Sequence, residues 1–570
     1  MKKIKFSIIV LITVLFNSCY DFNVAPYDTI AQGNFWKTEK DAKEGAMAVY
    51  AQLKMIGAYG YMPLWDTYSD IAHGPGGPVE LGTLTADYSF LVSNWKDTYE
   101  GVHRANNVIK NVQSMDIPDS VKSSIVGEAY FLRALYYFHL VDLFGGVPIY
   151  DEKWDVAETF NKMNLPRSSA ETVWAFIISD LNKAVTALPL AWSADNYGRA
   201  TKGAAYALRG KAYLYTKDWK NAIADFEEIV YNKSYNYNYN LFSNYSTLFT
   251  SAGPIPGDKE TIFAIQNKGD LGALYGMRLA RIYGTRGAYG GGQCTCMPTI
   301  TMADMYEYKD GKPFNWNNHI TGFNENDAIK KSTFWATLNS SKTAILSKPD
   351  TALLGNIYRG RDPRLNQSVI VPYSRFKGYV GTADKIQLYV VTDGATETNG
   401  FLRPGRAWWP YAYRKFVPIG NMGGAITSRD HTPINFPIIR LADVILMLSE
   451  AFNEDNQLDN AIKELNKVRA RTSTNMPALN SGAEWLNVSS KTEMTERIIR
   501  ERAFELSGEG HRFSDLRRWK LAATLLNKTE KDLLGNLVFN RLFADRDYLW
   551  PIPSAEIQMN PSLLPNNPGW

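Results

Sequence analysis

Two stretches of the chain repeat one spacing of small and aromatic residues, and this spacing constrains the fold more than any other feature. It matches the offsets of a tetratricopeptide unit, in which small residues let two antiparallel helices touch and aromatic residues fill the seam. The first stretch has Tyr206, Gly210, Tyr213, Ala222 and Phe226, and the second repeats the last four offsets at Ser449, Phe452, Ala461 and Leu465. Each pair exposes an apolar face that needs a neighbour, so we expect several units to stack. The alternative is a set of packed helix pairs without a true repeat.

Other segments of the first 230 residues also have helical periodicity with recognisable ends. Thr38 can cap a helix predicted from Lys40 to about Lys54. A second helix is predicted from about Asp119 to Phe144, because its leucines recur on one face at helical spacing. Gly145, which follows directly, suits a helix end.

The chain changes character between about 235 and 438, where Gly, Pro, Asn and aromatic residues replace long periodic runs. We predict loops and short strands there, and loops on a rigid scaffold are where binding groups usually lie. No Pro/Ser-rich linker or charge run separates domains. The predicted fold is therefore mainly α, with tetratricopeptide-like helix pairs packed against an irregular, loop-rich region that contains short strands. A single domain over 33–570 would comprise a helical scaffold at about 33–232 and 440–530, the loop-rich region at about 235–438, and a C-terminal segment at 531–570.

The N-terminus has the pattern of a secretory signal that ends before a cysteine. Lys2, Lys3 and Lys5 precede an apolar run over 6–16, and small residues then lead to Cys19. The run is too short to stay as a spanning helix, which needs about 20 apolar residues. We predict a signal peptide over 1–18.

Cys19 would then be the first mature residue and would carry lipid, as in bacterial lipoproteins. Several acyl chains would anchor the protein firmly, and the polar stretch 19–32 would be a tether. An ordinary secretory signal with a chance cysteine is the alternative.

Charge and cysteine content narrow the function classes. The 62 Lys and Arg residues nearly balance the 58 Asp and Glu residues, so the formal charge of +4 predicts no nucleic-acid partner. Beyond Cys19 only Cys294 and Cys296 remain, and they can be free or locally bridged. The six histidines are scattered, so we predict neither a metal site nor a cofactor.

The sequence motifs give no support for an enzymatic function. The chain lacks G-x-S-x-G, H-E-x-x-H and G-x-x-x-x-G-K-[ST], and we therefore predict no catalytic residues. A glycosidase needs only two suitably placed carboxylates, so a secreted glycosidase stays as a distant alternative.

Five segments resemble the recurring segments of the SusD/RagB family, and together they span almost the whole chain. They are GNFWKTEKDA (33–42), EAYFLRALYYFHLVDLFGGVPIY (128–150), GRATKGAAYALRGKAYLY (198–215), RERAFELSGEGHRFSDLRRWK (500–520) and WPIPSAEIQMNP (550–561). In the fourth segment, Glu501, Arg502, Glu505, Arg512, Asp515 and Arg517 alternate with apolar residues, and we predict that they are paired structural ions.

The resemblance implies an outer-membrane lipoprotein of Bacteroidetes, exposed at the cell surface, that binds glycan and delivers it to a SusC-like TonB-dependent transporter. An oligopeptide-binding, RagB-like member of the same family is the main alternative. It would line its cavity with backbone-pairing polar groups instead of stacked aromatic rings.

A glycan binder needs flat aromatic faces for sugar rings and polar groups for their hydroxyls. Three loops offer this combination, although in the first loop Trp65 and Tyr68 can equally cover a helix end. The candidates are Trp65, Tyr68, Asp70 and His73 in the first loop, Tyr283, Arg286 and Tyr289 in the second, and Trp408 and Trp409 in the third. Trp95 and Tyr99, at helical spacing, are predicted to be core instead.

Overall fold

A computed structural model describes residues 35–154, 164–268, 276–402 and 408–570. The predicted signal peptide, the lipidation site Cys19 and the tether lie outside these residues. Their assignment stays a prediction from sequence.

Long helices occupy both ends of the described chain, and shorter helices lie between them. The α-helices are Glu39–Gln52, Ser89–Ser114, Asp119–Phe144, Ala170–Ala187, Lys202–Tyr215, Trp219–Tyr231, Thr247–Thr250, Leu279–Tyr283, Ile300–Met305, Asp327–Phe334, Thr351–Arg359, Pro363–Ser368, Leu441–Glu454, Leu458–Arg469, Lys491–Leu506, Arg512–Arg518, Ala522–Leu526 and Ser554–Met559. The Thr38 hydroxyl accepts a hydrogen bond from the Asp41 N–H, as its predicted capping role requires. The predicted helix over 119–144 has the expected bounds and ends where Gly145 adopts a φ of 68°.

The predicted helix pairs are present, and glycine allows their close approach. A Cβ on Gly210 would lie 2.6 Å from the Phe226 ring, so the two helices of this pair could not pack as they do around a larger residue. In the later pair, the Ser449 hydroxyl donates to the Ala461 carbonyl over 2.8 Å. The helix Trp219–Tyr231 packs on Leu441–Glu454, so the early and late helical segments form one stack.

Short antiparallel pairs and one three-stranded sheet make up the β-structure. The pairs are Ala72–His73 with Met297–Pro298, Thr261–Ile265 with Phe436–Arg440, Thr337–Leu338 with Ile345–Ser347, Val369–Ile370 with Ala412–Tyr413, and Thr529–Lys531 with Leu537–Asn540. The sheet joins Arg375–Val380, Ala383–Tyr389 and Phe401–Leu402 in that order. The mainly α fold with an irregular middle region is thus confirmed, although that region also contains short helices. Among the described helices, none combines the length and apolar character that a bilayer span requires.

Buried ion pairs connect the helical stack to the middle region. Arg440, on a middle-region strand, pairs with Glu260, Glu505 and Glu509, each over 2.7 Å. Arg502 pairs with Asp515 over 2.8 Å inside the predicted charge-rich segment. The prediction of paired structural ions is confirmed, because each of the six predicted residues is almost fully buried and has an oppositely charged partner: Glu501, Arg502, Glu505, Arg512, Asp515 and Arg517.

Acidification is expected to destabilise this core through buried histidines. Burial lowers the pKa of His73, His139 and His511 to about 4, from an ordinary value of 6.5. Their neutral forms therefore contribute stability above pH 6.5, and this contribution is lost as the pH falls from 6.5 through about 4. Burial raises the pKa of Asp66 and Asp304 to about 6. These two carboxyls favour the folded state as the pH falls, because the folded state binds their protons at a higher pH than the unfolded state does.

His139→Gln isolates one histidine from these opposing groups. The variant should be less stable than the parent at pH 7, and the gap should narrow by on the order of 3 kcal/mol as the pH approaches 4. Thermal unfolding at pH 7, 5.5 and 4.5 measures the gap. A gap that is the same at all three pH values would contradict this prediction.

Candidate ligand-binding face

The structure corrects the first predicted loop, because its aromatic residues are part of the core. Trp65 is 5% exposed and Tyr68 is 8% exposed. The Trp65 ring stacks on Trp550, with centroids 5.3 Å apart and an interplanar angle of 21°. Neither ring can offer a free face to a sugar.

The two polar residues of that loop are also occupied. The Asp70 carboxylate accepts hydrogen bonds from Nε and Nη2 of Arg512, over 2.8 and 2.9 Å. This pairing lowers the pKa of Asp70, although burial alone would raise it. The Nδ1 of His73 lies 2.8 Å from the Gly74 carbonyl oxygen, and the ring is 2% exposed. We therefore withdraw Trp65, Tyr68, Asp70 and His73 from the ligand-binding set.

Tyr283 is corrected for the same reason. It is fully buried, and its hydroxyl lies within hydrogen-bond distance of the carbonyl oxygens of Pro63 and Gly508, at 2.9 and 2.6 Å. This tyrosine joins the middle region to the helical stack.

The adjacent tryptophans are both half-buried and pack against the core. The Trp409 indole donates to the Thr392 carbonyl over 3.1 Å and meets the Trp335 ring edge-on at 5.3 Å. These packing partners of Trp409 differ from those of Tyr289. Their role in binding stays a prediction.

Tyr289 and Arg286 lie at the surface, on the loop that follows the helix Leu279–Tyr283. Tyr289 is half-buried and stacks on Tyr379, with ring centroids 4.8 Å apart and an interplanar angle of 11°. Tyr379 lies on the hairpin formed by the strands Arg375–Val380 and Ala383–Tyr389. Arg286 is exposed. The two tyrosines form an aromatic pair at the boundary between loop and hairpin.

Backbone contacts fix this loop against the hairpin. The Gly287 carbonyl accepts hydrogen bonds from the Tyr379 N–H over 3.1 Å and from the Gln387 amide over 2.9 Å. A Cβ on Gly287 would lie 1.7 Å from Gln387, and one on Gly378 would lie 2.0 Å from the Gly287 carbonyl. Glycine is therefore required at position 378, where the clash is with backbone, whereas a side chain at position 287 would displace the Gln387 amide.

A third segment closes the other side of the loop. The Arg429 guanidinium donates to the Gly291 carbonyl over 2.7 Å, next to the two positive φ angles of Gly290 and Gly291. The carboxylate of the next residue in the chain, Asp430, forms an ion pair with the Arg281 guanidinium over 3.1 Å. We call the segments 276–293, 375–389 and 428–431 together the loop-hairpin face.

The hairpin adds polar side chains beside the aromatic pair. Arg375 and Lys377 are exposed and alternate along the strand with buried residues, and Lys377 pairs with Asp384 over 2.7 Å. Sequence reasoning missed Tyr379, Arg375 and Arg429. The alternation of charged and apolar residues at 375–380 was a signal for a half-buried strand.

The structure also resolves the open question on the remaining cysteines. Cys294 and Cys296 are fully buried and form no disulfide, and burial raises the pKa of the Cys296 thiol. Within the described residues, no group of three or more His, Cys, Asp or Glu side chains suits a metal ion.

A separate cavity of about 730 Å³ lies between the helix Ser89–Ser114 and the C-terminal helix Ser554–Met559. Tyr99, Tyr150 and Trp154 line it. Trp95 and Tyr99 both border this cavity. The prediction that they are core holds for Trp95, which is 5% exposed, whereas Tyr99 is half-buried.

Comparisons with known proteins give consistent results over the whole chain. The model of the SusD family matches residues 259–570, and a model described as starch-binding, associating with the outer membrane, matches residues 80–214. The SusD-like protein P2 of Formosa agariphila is 26% identical over 592 residues, which cover all of both chains. The starch-binding protein SusD of Bacteroides thetaiotaomicron is 24% identical over 455 residues, 77% of this chain and 72% of that protein.

Solved structures share the fold. A SusD-like carbohydrate-binding protein from Bacteroides fragilis superposes with a TM-score of 0.75 at 25% identity, covering 93% of this chain and 99% of that one. A laminarin-binding SusD-like protein superposes with a TM-score of 0.65 at 23% identity, covering 94% of this chain and all of that one.

Proposed function

Because this chain belongs to the SusD family, we propose that it is a non-catalytic, cell-surface lipoprotein that binds oligo- or polysaccharide on its loop-hairpin face. It would deliver the bound glycan to a SusC-like TonB-dependent transporter in the outer membrane. Cys19 would carry the lipid anchor. The proposal includes no cofactor and no metal.

The names of relatives support the saccharide class. One homologue is a starch-binding protein, one structural neighbour binds laminarin, and another is described as carbohydrate-binding. Starch and laminarin are both polymers of glucose, yet the binding residues of this chain have to be argued from its own surface.

The stacked pair of Tyr289 and Tyr379 is the observation that carries the assignment of the site. Both rings are half-buried, so each keeps part of its surface open to solvent while its position is fixed by the partner ring. Arg286 and Arg375 can donate hydrogen bonds to sugar hydroxyls at the edges. Covering about 50 Å² of apolar sugar surface contributes on the order of 1 kcal/mol, so several such contacts are needed for useful affinity.

The double variant Tyr289→Ala, Tyr379→Ala should lose glycan binding by roughly 30-fold, because two ring contacts of about 1 kcal/mol each are removed. Affinity electrophoresis against a panel of polysaccharides identifies a ligand, and isothermal titration calorimetry with an oligosaccharide measures the affinity. The control is Tyr197→Ala, which removes a tyrosine that is 48% exposed and lies outside the face.

Three outcomes would count against the proposal. Unchanged binding by the double variant would move the site away from the loop-hairpin face. Binding of oligopeptides but of no glycan would favour the RagB-like alternative. New reducing ends in the incubation would show a glycosidase and overturn the non-catalytic assignment.

A further inference from the structure

The loop-hairpin face has a large excess of basic residues. Its three segments contain seven basic residues and two acidic ones, a difference of five, whereas the whole chain has a formal charge of only +4. The basic residues are Arg278, Arg281, Arg286, Arg375, Lys377, Lys385 and Arg429, and the acidic ones are Asp384 and Asp430. The rest of the chain is therefore close to neutral, and the positive charge is concentrated on this face.

Both acidic residues of the face are already paired. Asp430 lies 3.1 Å from the Arg281 guanidinium and 3.7 Å from that of Arg278. Asp384 pairs with Lys377 over 2.7 Å, and the nearby cation lowers the pKa of Asp384 together with a backbone hydrogen bond from Asn421. Neither carboxylate is left to neutralise the remaining cations.

Arg286 and Arg375 lie on the same two segments as the stacked tyrosines, and neither has a carboxylate partner among the described residues. Arg286 is three residues from Tyr289 on the loop, and Arg375 is four residues from Tyr379 on the same strand. Both side chains are exposed. Arg429 donates its hydrogen bonds to backbone carbonyls, which carry no full charge.

The separation of these groups suits a chain rather than a single ion. Four residues of strand extend over about 13 Å, so Arg375 and the tyrosine pair are too far apart to hold one small anion together. A guanidinium binds carboxylate and sulfate oxygens through two parallel hydrogen bonds, and it can do so repeatedly along a charged polymer.

We propose that the saccharide bound on the loop-hairpin face is anionic, with uronate carboxylates or sulfate esters that pair with Arg286 and Arg375. This inference rests on the proposed function and specifies its substrate class. A neutral glucan could accept hydrogen bonds from these two arginines but would leave their positive charges without a counter-charge.

Matched polymers test the charge requirement. Wild-type protein is assayed by affinity electrophoresis and calorimetry against dextran and dextran sulfate, polygalacturonate, and neutral laminarin. We expect the affinity for one or both anionic polysaccharides to exceed the affinity for the neutral ones by at least about tenfold. This affinity should weaken as the NaCl concentration rises from 0.05 to 0.5 M. Preference for polygalacturonate assigns a uronate, and preference for dextran sulfate assigns a sulfate ester.

The variant Arg286→Gln, Arg375→Gln should lose at least about tenfold in affinity for the anionic polymer. Any affinity for neutral laminarin should fall much less, because the glutamine amide can still donate hydrogen bonds to sugar hydroxyls. Arg359→Gln is the matched control, because Arg359 is an exposed arginine of the helix Thr351–Arg359, outside the face. Circular dichroism confirms that each variant is folded.

The results distinguish the two proposals. Equal binding of neutral and anionic polymers overturns the anionic class, and so does unchanged binding by the double arginine variant. In either case the proposal of glycan binding stands if the variant Tyr289→Ala, Tyr379→Ala still fails to bind. Binding of poly-glutamate as tight as that of the preferred polysaccharide overturns the inference, because it shows a face that attracts any polyanion. Absence of binding to every polysaccharide overturns both proposals.

Discussion

Glu505→Ala should leave the protein unable to fold at 37 °C. The Glu505 carboxylate is fully buried and lies 2.6 Å from Arg471, 2.7 Å from Arg440 and 3.0 Å from Arg364. Burial alone would raise its pKa, but the three guanidinium groups hold the pKa of this carboxyl well below its ordinary value. Its removal would leave excess positive charge away from water.

The expected cost is large compared with the total stability. Breaking a buried ion pair by removing one partner costs about 3–5 kcal/mol, and Glu505 is a partner of three arginines. A folded protein is typically stable by only about 5–15 kcal/mol. We therefore expect the variant to accumulate as insoluble protein, and Glu505→Gln, which keeps the shape but not the charge, to be soluble with a lowered Tm.

Glu496→Ala is the control, because Glu496 is exposed on the same helix, Lys491–Leu506. Its free energy of unfolding should change by no more than about 0.5 kcal/mol. Expression, gel filtration and thermal unfolding measure all three variants. A soluble Glu505→Ala protein with the parental Tm would show that the buried network does not depend on this carboxylate.

Cys19→Ser should release the protein completely from the membrane fraction. The predicted signal over 1–18 would leave Cys19 as the first mature residue, and under the proposed function its thiol would be the acceptor for lipid. Each buried CH₂ group of an acyl chain contributes about 0.8 kcal/mol, so several chains hold a protein firmly and their loss removes the anchor. Fractionation of cells expressing the full chain, together with labelling by radioactive palmitate, measures both effects.

Asn23→Ala is the matched control within the predicted tether, and it should stay in the membrane fraction with its label. Membrane retention of Cys19→Ser, or a parental protein without label, would contradict the lipoprotein assignment. Release of Cys19→Ser without loss of glycan binding by the purified protein would show that anchoring and capture are independent.

The helical part of the fold could be predicted because its signals are local. Gly210 and Phe226 fall at the offsets of one repeat, and the structure places them in contact. The helix Asp119–Phe144 has the bounds that its leucine spacing and its terminal glycine indicate. Such patterns depend on neighbours within one or two turns, which the sequence displays directly.

The candidate site was harder to predict because its partners are distant in sequence. Trp65 looks like an exposed aromatic in a loop, but Trp550 covers its ring. Tyr289 acquires its geometry from Tyr379, on a hairpin whose position relative to the loop no local pattern gives. The sequence likewise leaves Asp70 available for a ligand, whereas in the structure its carboxylate is paired with Arg512. Burial by a remote segment is a property of tertiary structure, and composition alone does not distinguish it from exposure.

The contact between Gly287 and Gly378 has a consequence for how this protein can diversify. Gly378 cannot accept a side chain, since its Cβ would lie 2.0 Å from the Gly287 carbonyl oxygen, and a side chain at Gly287 would have to displace the Gln387 amide, 1.7 Å from its Cβ. Of the neighbouring positions, 286 and 375 are exposed, and 289 and 379 are only half-buried, so they are not restricted in this way. Substitutions at these positions can therefore change the shape and charge of the loop-hairpin face while the contact between Gly287 and Gly378 keeps the loop and the hairpin together.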